Sequence, residues 1–426
     1  MQEDFLHFLW KFRKLDSPGL RTSSGQSVFI IHPGQHNKLA GPDFFNAQIR
    51  LNDQLWAGNV EIHIRASDWY AHHHEQDSCY ENVILHVVWH EDVPVLNAAG
   101  HPIPTLEMRS MIRPATLQTY KTLMNVRAGQ FVNCDSQMAA VDPIVITAWQ
   151  ERLFFERLME KVAQIESLLR EYNQDWKAIS FLSFLQGFGS KINKDNFFEL
   201  GRRMPYAVVK KVMKSPMDLE VLLFGVAGLL NEEDSVDTYY QKLCAEFDFL
   251  SDKFNLKKTT RKQVAFFKLR PMNFPTLRLS QFATFWSDPA NNFDALMSEY
   301  RLNRLVDMLS ARASIYWETH YIFGKASNSK PKIVSKTFIE SLILNTIIPL
   351  KFTYARYKGV DENEKIIRLV RSLKSEKNRI VDSYATFGIH TDSALDSQAL
   401  LQLYNYYCTK HRCLECSVGH FLLQDK

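Results

Sequence analysis

The chain has 426 residues, of which 46% are hydrophobic, 12% aromatic and 23% charged. That composition excludes an intrinsically disordered chain and is enough for two or three domains with sizeable cores. No run approaches the roughly 18 to 20 apolar residues of a membrane helix, and a formal net charge of +4 is too small to argue for nucleic acid by itself.

Taken in chain order, residues 3–14 (EDFLHFLWKFRK) predict a helix with Phe5, Phe8, Leu9 and Phe12 on one face. Acidic Glu3 and Asp4 come first and Lys11, Arg13 and Lys14 last, the reverse of a secretory leader. Cytoplasmic residence is therefore expected, with the six cysteines acting as thiols or ligands and not as a disulfide framework. Strands are expected at Ser27–Ile31, Asp43–Leu51, Leu55–Arg65 and Val83–His90, with a further one at Ile103–Met108. Asn52-Asp53 reads as a hairpin turn, and Ser67 as the N-cap of a short helix running into His72-His73-His74.

From about residue 142 the pattern changes. Asp142-Pro143 opens a long amphipathic helix to about Glu171. Further helices are expected near 175–186, 195–213, 217–230, 235–250, 259–269, 278–286, 293–318, 334–354, 361–382 and 396–408, with polar loops or linkers at 250–260 and 323–333. The expected fold class is α+β: a histidine-rich, mixed-sheet α/β domain over residues 1–135, then a mostly helical region over 136–426 ending in a cysteine-rich segment. Charge divides in the same way. Residues 1–141 hold 11 Lys+Arg against 14 Asp+Glu, and the remainder holds 40 against 33. Lys253, Lys257, Lys258, Arg261, Lys262, Lys268 and Arg270 fall close together. A basic face would suit a polyanion, although most such clusters are simply solvated surface.

Ten of the 14 histidines lie in the first 101 residues. Side chains alternate along a strand, so Glu61, His63 and Arg65 share one face and Val60, Ile62 and Ile64 the other. In the strand at 83–90, Ile84, His86, Val88 and His90 share a face. Carboxylate and imidazole together are ordinary ligands for a divalent cation. Carboxylate favours Mg²⁺ or Mn²⁺, and imidazole shifts the preference toward Mn²⁺ or Zn²⁺. The candidate ligands are Asp43, Glu61, His63 and His86, against a plainer reading of these histidines as surface residues or hydrogen-bond partners.

Gly41-Pro42-Asp43 before one strand and Glu61-Ile62-His63 in the next resemble the PD-(D/E)xK nuclease superfamily. That resemblance implies that Asp43 and Glu61 hold the ion, that His63 stands where the motif has lysine, and that Glu3 assists from the first helix. A histidine can orient water, but it carries a positive charge only when protonated. Asp68, His72 and His74 are expected to support the ligands or contact substrate.

Over a longer span, GPDFFNAQI, WAGNVEIHIRASDWYAHHHEQDSCYENVILHVV and YYCTKHRCLECSVGHFLL, together with LEVLLFGVAGLL, RPMNFPTLRLSQ and WETHYIFG, resemble a bacterial family of domains of unknown function best represented in the Bacteroidota. The resemblance implies a shared architecture and cytoplasmic residence, and no activity.

Cys408, Cys413 and Cys416, with His420 after them, have the donors of a tetrahedral zinc site. An iron–sulfur cluster is the rival, with Cys244 or Cys134 recruited from afar; a metal-free cap with buried thiols is the plain alternative. Arg270 and Arg278 flank a proline-stiffened loop that could contact phosphate, although an interhelical connection explains it as well. The Gly225-x-x-Gly228 pair predicts close helix packing. The expected function is a metal-dependent hydrolase of nuclease or phosphodiesterase type acting on nucleic acid. A non-catalytic nucleic-acid-binding or scaffold protein with a degenerate nuclease-like domain and a zinc hydrolase on another substrate are the alternatives. No membrane partner is expected, and no feature speaks to oligomeric state.

Overall fold

A computed structural model describes residues 2–15, 19–125, 129–231, 236–257 and 263–424. It has the expected α+β character, an N-terminal mixed sheet followed by a largely helical region. None of the helices among the described residues is long and apolar enough to cross a membrane.

The chain forms two compact units. The first comprises Met1–Trp149, Ser383–Ile389 and Leu403–Lys426; the second comprises Gln150–Asp382 and His390–Gln402.

In the first unit, helix α1 (Glu3–Lys11) precedes strands β1 (Leu20–Arg21), β2 (Ser27–His32), β3 (Gln35–His36), β4 (Phe44–Leu51) and β5 (Gln54–Arg65). Helix α2 (Asp68–Ala71) and two 3₁₀ turns lead to β6 (Val83–His90) and β7 (Thr105–Glu107), followed by α3 (Pro114–Met124). The sheet order is β1-β2-β4-β5-β6-β7, with β3 also on β4. Pairing is antiparallel up to β4–β5 and parallel from β5–β6 onward. The β5–β6 crossover carries His72 and His74.

Burial follows the residue pattern. In β4, Phe44, Ala47, Ile49 and Leu51 are buried between exposed neighbours, while β5 is buried on both faces from Gly58 to His63 because it is central. Helix α1 buries Phe5, Leu6, Phe8, Leu9 and Trp10. Phe12, expected on its apolar face, lies past the helix end and is exposed. Phe5 stacks on Tyr120 of α3 with ring centroids 3.9 Å apart, and Trp10 Nε1 donates to the Pro33 carbonyl at 2.9 Å. Ser67 does not cap α2 through its side chain. Its Oγ donates instead to Asp92 at 2.7 Å.

Helix α4 (Pro143–Glu171) starts as expected, with Asp142 Oδ1 accepting the Ile144 amide at 2.8 Å. In the second unit follow α5 (Trp176–Phe188), α6 (Ser190–Arg202), α7 (Tyr206–Val212), α8 (Pro216–Val226), α9 (Thr238–Phe254) and α10 (Pro275–Ser287). The single helix expected over 195–213 is two, broken before Pro205, whose ring cannot continue a helix. A Cβ on Gly225 of α8 would stand 2.1 Å from the Phe247 ring of α9, so the close packing expected of that glycine is present. The helix expected at 259–269 has residues 259–262 outside the described residues, and 263–269 is not helical. The polar segment near 323–333 contains part of a small hairpin, β8 (His320–Ile322) with β9 (Lys325–Ala326). The long helix expected at 334–354 forms with a widened π turn over Ile343–Ile347, just before Pro349. That widening accommodates a ring that would otherwise clash with the carbonyl four residues earlier.

Candidate functional site

The site grows from the pairing around β5. Register places Phe44 opposite Val60 and Glu61 beside His86, so Glu61, His63 and His86 share one face of the sheet, as alternation predicts. A β-bulge between Phe44 and Ala47, with Asn46 at φ 54°, bends the start of β4. Asp43 lies at that end. Its amide donates to Glu61 Oε2 at 3.0 Å, and its own Oδ2 accepts the Ile62 amide at 3.0 Å. The Asp43 carboxylate thus occupies a place where a backbone carbonyl would normally continue the ladder.

Around this pair the imidazoles gather. Glu61 Oε1 is 3.5 Å from His63 Nε2 and 3.4 Å from His74 Nε2. His63 Nε2 is 3.2 Å from His72 Nδ1, and His63 Nδ1 is 2.8 Å from His86 Nε2. One donor atom each from His63, His72 and His74 lies within 4.8 Å of the others, the only such trio among the described residues. His72 is exposed and opens the cluster to solvent, whereas His63 is buried. Tyr80 stacks on the His74 ring at 3.8 Å, and Trp69 meets the edges of His74 and His86. These aromatic walls restrict the imidazole orientations. The sequence signal for them was the Trp and Tyr inside the crossover, which periodicity does not assign to a site.

Burial keeps His63 and His86 neutral. Burial, reinforced by the neighbouring histidines, pushes His63 down to about 2. Burial likewise pushes His86 down to about 3. A neutral imidazole offers a lone pair, as a cation ligand must. The Glu61 carboxyl is raised by burial and by the Asp43 charge, with His74 acting the other way. Glu3 is raised by its burial and then by Asp43, placing it electrostatically in the same group. His7 was not singled out from the sequence. Its Nε2 is 3.1 Å from Asp43 Oδ2, poorly aligned for a hydrogen bond, and although burial opposes its charge the carboxylate beside it raises its pKa.

Glu61 therefore lies beside both Asp43 and His63, but the tightest donor set is His63, His72 and His74, with Glu61 Oε1 within 3.5 Å of two of them. His86 sits behind His63, fully buried, holding its far nitrogen. Asp68 accepts the Arg65 amide at 2.9 Å and serves the turn. His73 is turned out of the cluster by a left-handed backbone at φ 58°.

The other expected contacts are placed differently. Arg278 is buried in the second unit, its guanidinium 3.7 Å from the Phe338 ring centroid and hydrogen-bonded to Asn273 and Gln281. It is an internal strut, not a substrate contact. Arg270 is exposed on the 3₁₀ connection before α10, where its carbonyl accepts the Asn273 amide. Of the basic run after Lys253, Lys258, Arg261 and Lys262 lie outside the described residues. A cleft of about 680 Å³ in the second unit is lined by Lys161, Lys191, Lys194 and Arg202, with the acids Asp195 and Glu171 among them, the latter paired with Arg202 at 2.7 Å. His420 donates from Nε2 to the Leu414 carbonyl at 2.6 Å.

A family model described as "Protein of unknown function (DUF2851)" matches residues 3–379. No curated protein and no solved structure matches the chain.

Proposed function

The chain belongs to the DUF2851 family of proteins of unknown function, and for this member we propose a metal-dependent hydrolase of the nuclease or phosphodiesterase type, acting on nucleic acid. The observation that carries the proposal is the trio of His63, His72 and His74 donor atoms within 4.8 Å of one another, with Glu61 Oε1 within 3.5 Å of two of them. Three imidazoles and one carboxylate suit Zn²⁺ or Mn²⁺ better than Mg²⁺.

Such an ion lowers the pKa of a bound water and offsets negative charge developing on a phosphoryl group. The protein side chains do the rest. With an ion at Nε2, His63 would carry its proton on Nδ1, and His86 Nε2, 2.8 Å away, would accept it and fix the ring. Glu61 supplies negative charge, and Glu3 and Asp43 add carboxylates beside it. Asp43 before β4 and Glu61 on the neighbouring strand support the resemblance to the PD-(D/E)xK nucleases. The motif's lysine has no equivalent, because a His63 held neutral cannot supply a fixed charge. In the helical unit, the cleft's support for a polyanion rests on Lys191 and Lys194, since Arg202 pairs with Glu171 at 2.7 Å and burial pushes Lys161 down to about 7.

A zinc hydrolase on a different substrate is favoured by the same observation, since the three histidines alone, with Glu61 beside them and off the ion, would leave a fourth position for water. The deciding experiment assays purified protein with Zn²⁺, Mn²⁺ or Mg²⁺ on single- and double-stranded DNA, RNA and small ester substrates. Metal-dependent phosphodiester cleavage, lost in His74→Ala, is expected. Cleavage of carboxylic esters alone selects the second reading. Stoichiometric metal with no turnover leaves a binding protein.

A further inference from the structure

We propose that Cys134, Cys408, Cys413 and Cys416 form a four-thiolate structural zinc site in the first unit, fastening residues 403–424 to the segment around residue 134.

None of the four forms a disulfide, and Cys134 and Cys416 are buried, the other two partly so. Several contacts draw their segments together. Asn133, next to Cys134, donates from Nδ2 to the Leu123 carbonyl at 2.7 Å, and the Cys413 thiol reaches the same carbonyl at 3.6 Å. Asn133 Nδ2 also lies 3.3 Å from His411 Nδ1, inside the Cys408–Cys413 loop. Phe131 stacks on Tyr404 at 4.8 Å and meets the edge of Tyr384. The fully buried Tyr384 hydroxyl is 3.3 Å from Cys408 Sγ.

Between Cys413 and Cys416 the chain makes a tight turn, with the Cys416 amide on the Cys413 carbonyl at 3.3 Å. A Cβ on Gly419 would come within 2.0 Å of that carbonyl oxygen, so glycine is required for the following helix, Ser417–Leu422, to lie against the turn. This C-x-x-C turn has the form of a zinc knuckle. Cys134 replaces His420 in the ligand set expected from the sequence. The His420 Nε2 is a donor to Leu414, and its ring lies edge-on to Phe8 and Phe12.

The electrostatics agree with a cluster. Burial, then the other three cysteines, raises the Cys134 thiol. Burial together with Cys416 pushes Cys413 up to about 11. Without an ion Cys134, Cys408 and Cys413 stay protonated, and the four sulfurs do not stand as close together as the histidine donors. A zinc ion would displace the thiol protons to solvent, and at a Zn–S distance of about 2.3 Å would draw the sulfurs to roughly 3.8 Å from one another.

The test uses the full-length protein. Zinc is measured after purification, and Co²⁺ is exchanged in for spectroscopy. Stoichiometric zinc and an intense thiolate-to-cobalt charge-transfer band are expected in wild type, in His72→Ala/His74→Ala and in His420→Ala. In Cys134→Ser the zinc content should fall and the band should weaken and shift. Should that variant not fold, thiol titration of native wild type serves: four thiols should react only once a chelator removes the metal. Absence of a sulfur-to-cobalt band in wild type, an unchanged band in folded Cys134→Ser, or a coloured iron chromophore would overturn the proposal.

Discussion

The Asp43 amide donates to the Glu61 carboxylate at 3.0 Å, and the amide of Ile62, next to Glu61, donates back to the Asp43 carboxylate at 3.0 Å. Each acid is thereby held by the backbone of the other strand, and one of its two oxygens is committed before any ligand arrives.

This crosswise pairing separates structure from chemistry. Asp43→Ala leaves the Ile62 amide without its acceptor and should cost about 1–3 kcal/mol of stability. Asp43→Asn keeps an oxygen there and should restore the melting temperature. Glu61→Gln likewise retains an acceptor for the Asp43 amide but removes the charge. It should melt near wild type while metal-dependent turnover falls on the order of a hundredfold or more. Thermal melts beside a turnover assay check all three; a Glu61→Gln protein of full activity ends the role given to that carboxylate.

His86 acts through His63. Replacing it with Leu removes the hydrogen-bond partner of His63 Nδ1 and frees the ring to turn. Metal affinity at the histidine site should fall roughly 10–100-fold. His86→Gln, whose side-chain oxygen can accept a proton from that nitrogen, should recover part of it. Competition with a chromophoric chelator reads the difference, and equal affinities for His86→Leu and wild type would remove the positioning role.

The basic residues divide into struts and surface. Arg278→Met should lower the melting temperature, because Asn273 and Gln281 lose their partner, and should leave any nucleic-acid affinity unchanged. Lys194→Gln, in the open cleft, should weaken binding evenly across sequences and flatten its salt dependence by about one unit of slope. Titrations at several salt concentrations distinguish them; the reverse ranking would move the binding surface elsewhere.

Lys351 gives the helical unit a pH dependence. Its ammonium is buried on the Leu296 and Met297 carbonyls at 2.7 and 2.8 Å. Burial pushes its pKa down to about 7, from an ordinary 10.5, despite the opposing charges of Glu299 and Glu362. Between those values the unfolded chain holds a proton that the folded chain has released, so stability should rise with pH across the window and be flat below it. Lys351→Met should lose that rise. Unfolding midpoints between pH 6 and 10 test the sign, and parallel profiles for the two proteins would contradict it.

How far the site was legible in the sequence depended on distance along the chain. Period-two alternation was enough to put Glu61, His63 and His86 on one sheet face, since that needs only local geometry. The proline-preceded acid pointed to Asp43. His72 and His74, without His73, were expected beside the ligands; their place in the tightest donor trio was not legible, because it depends on how the crossover folds back, with His73 left-handed between them. Ser67 looked like a cap residue, and a hydrogen bond to Asp92, twenty-five residues on, takes its hydroxyl instead, while Asp68 holds the local turn on the Arg65 amide. Arg278 was indistinguishable from a surface cation until the Phe338 ring, sixty residues on, was seen beneath it. The partnership of Cys134 with the late cysteines had no local signature, for the segments that bring them together are set by packing around Tyr384 and Leu123.

The first unit is completed by residues 383–389 and 403–424, and this orders events on the ribosome. Phe131 waits for Tyr384 and Tyr404, and Phe8 and Phe12 wait for His420. The sheet emerges first yet finishes last, so its nascent form keeps those aromatic rings uncovered while the helical unit is being synthesised. A ribosome stalled before residue 403 would hold the first unit with that aromatic surface unburied, the kind of exposed state that aggregates.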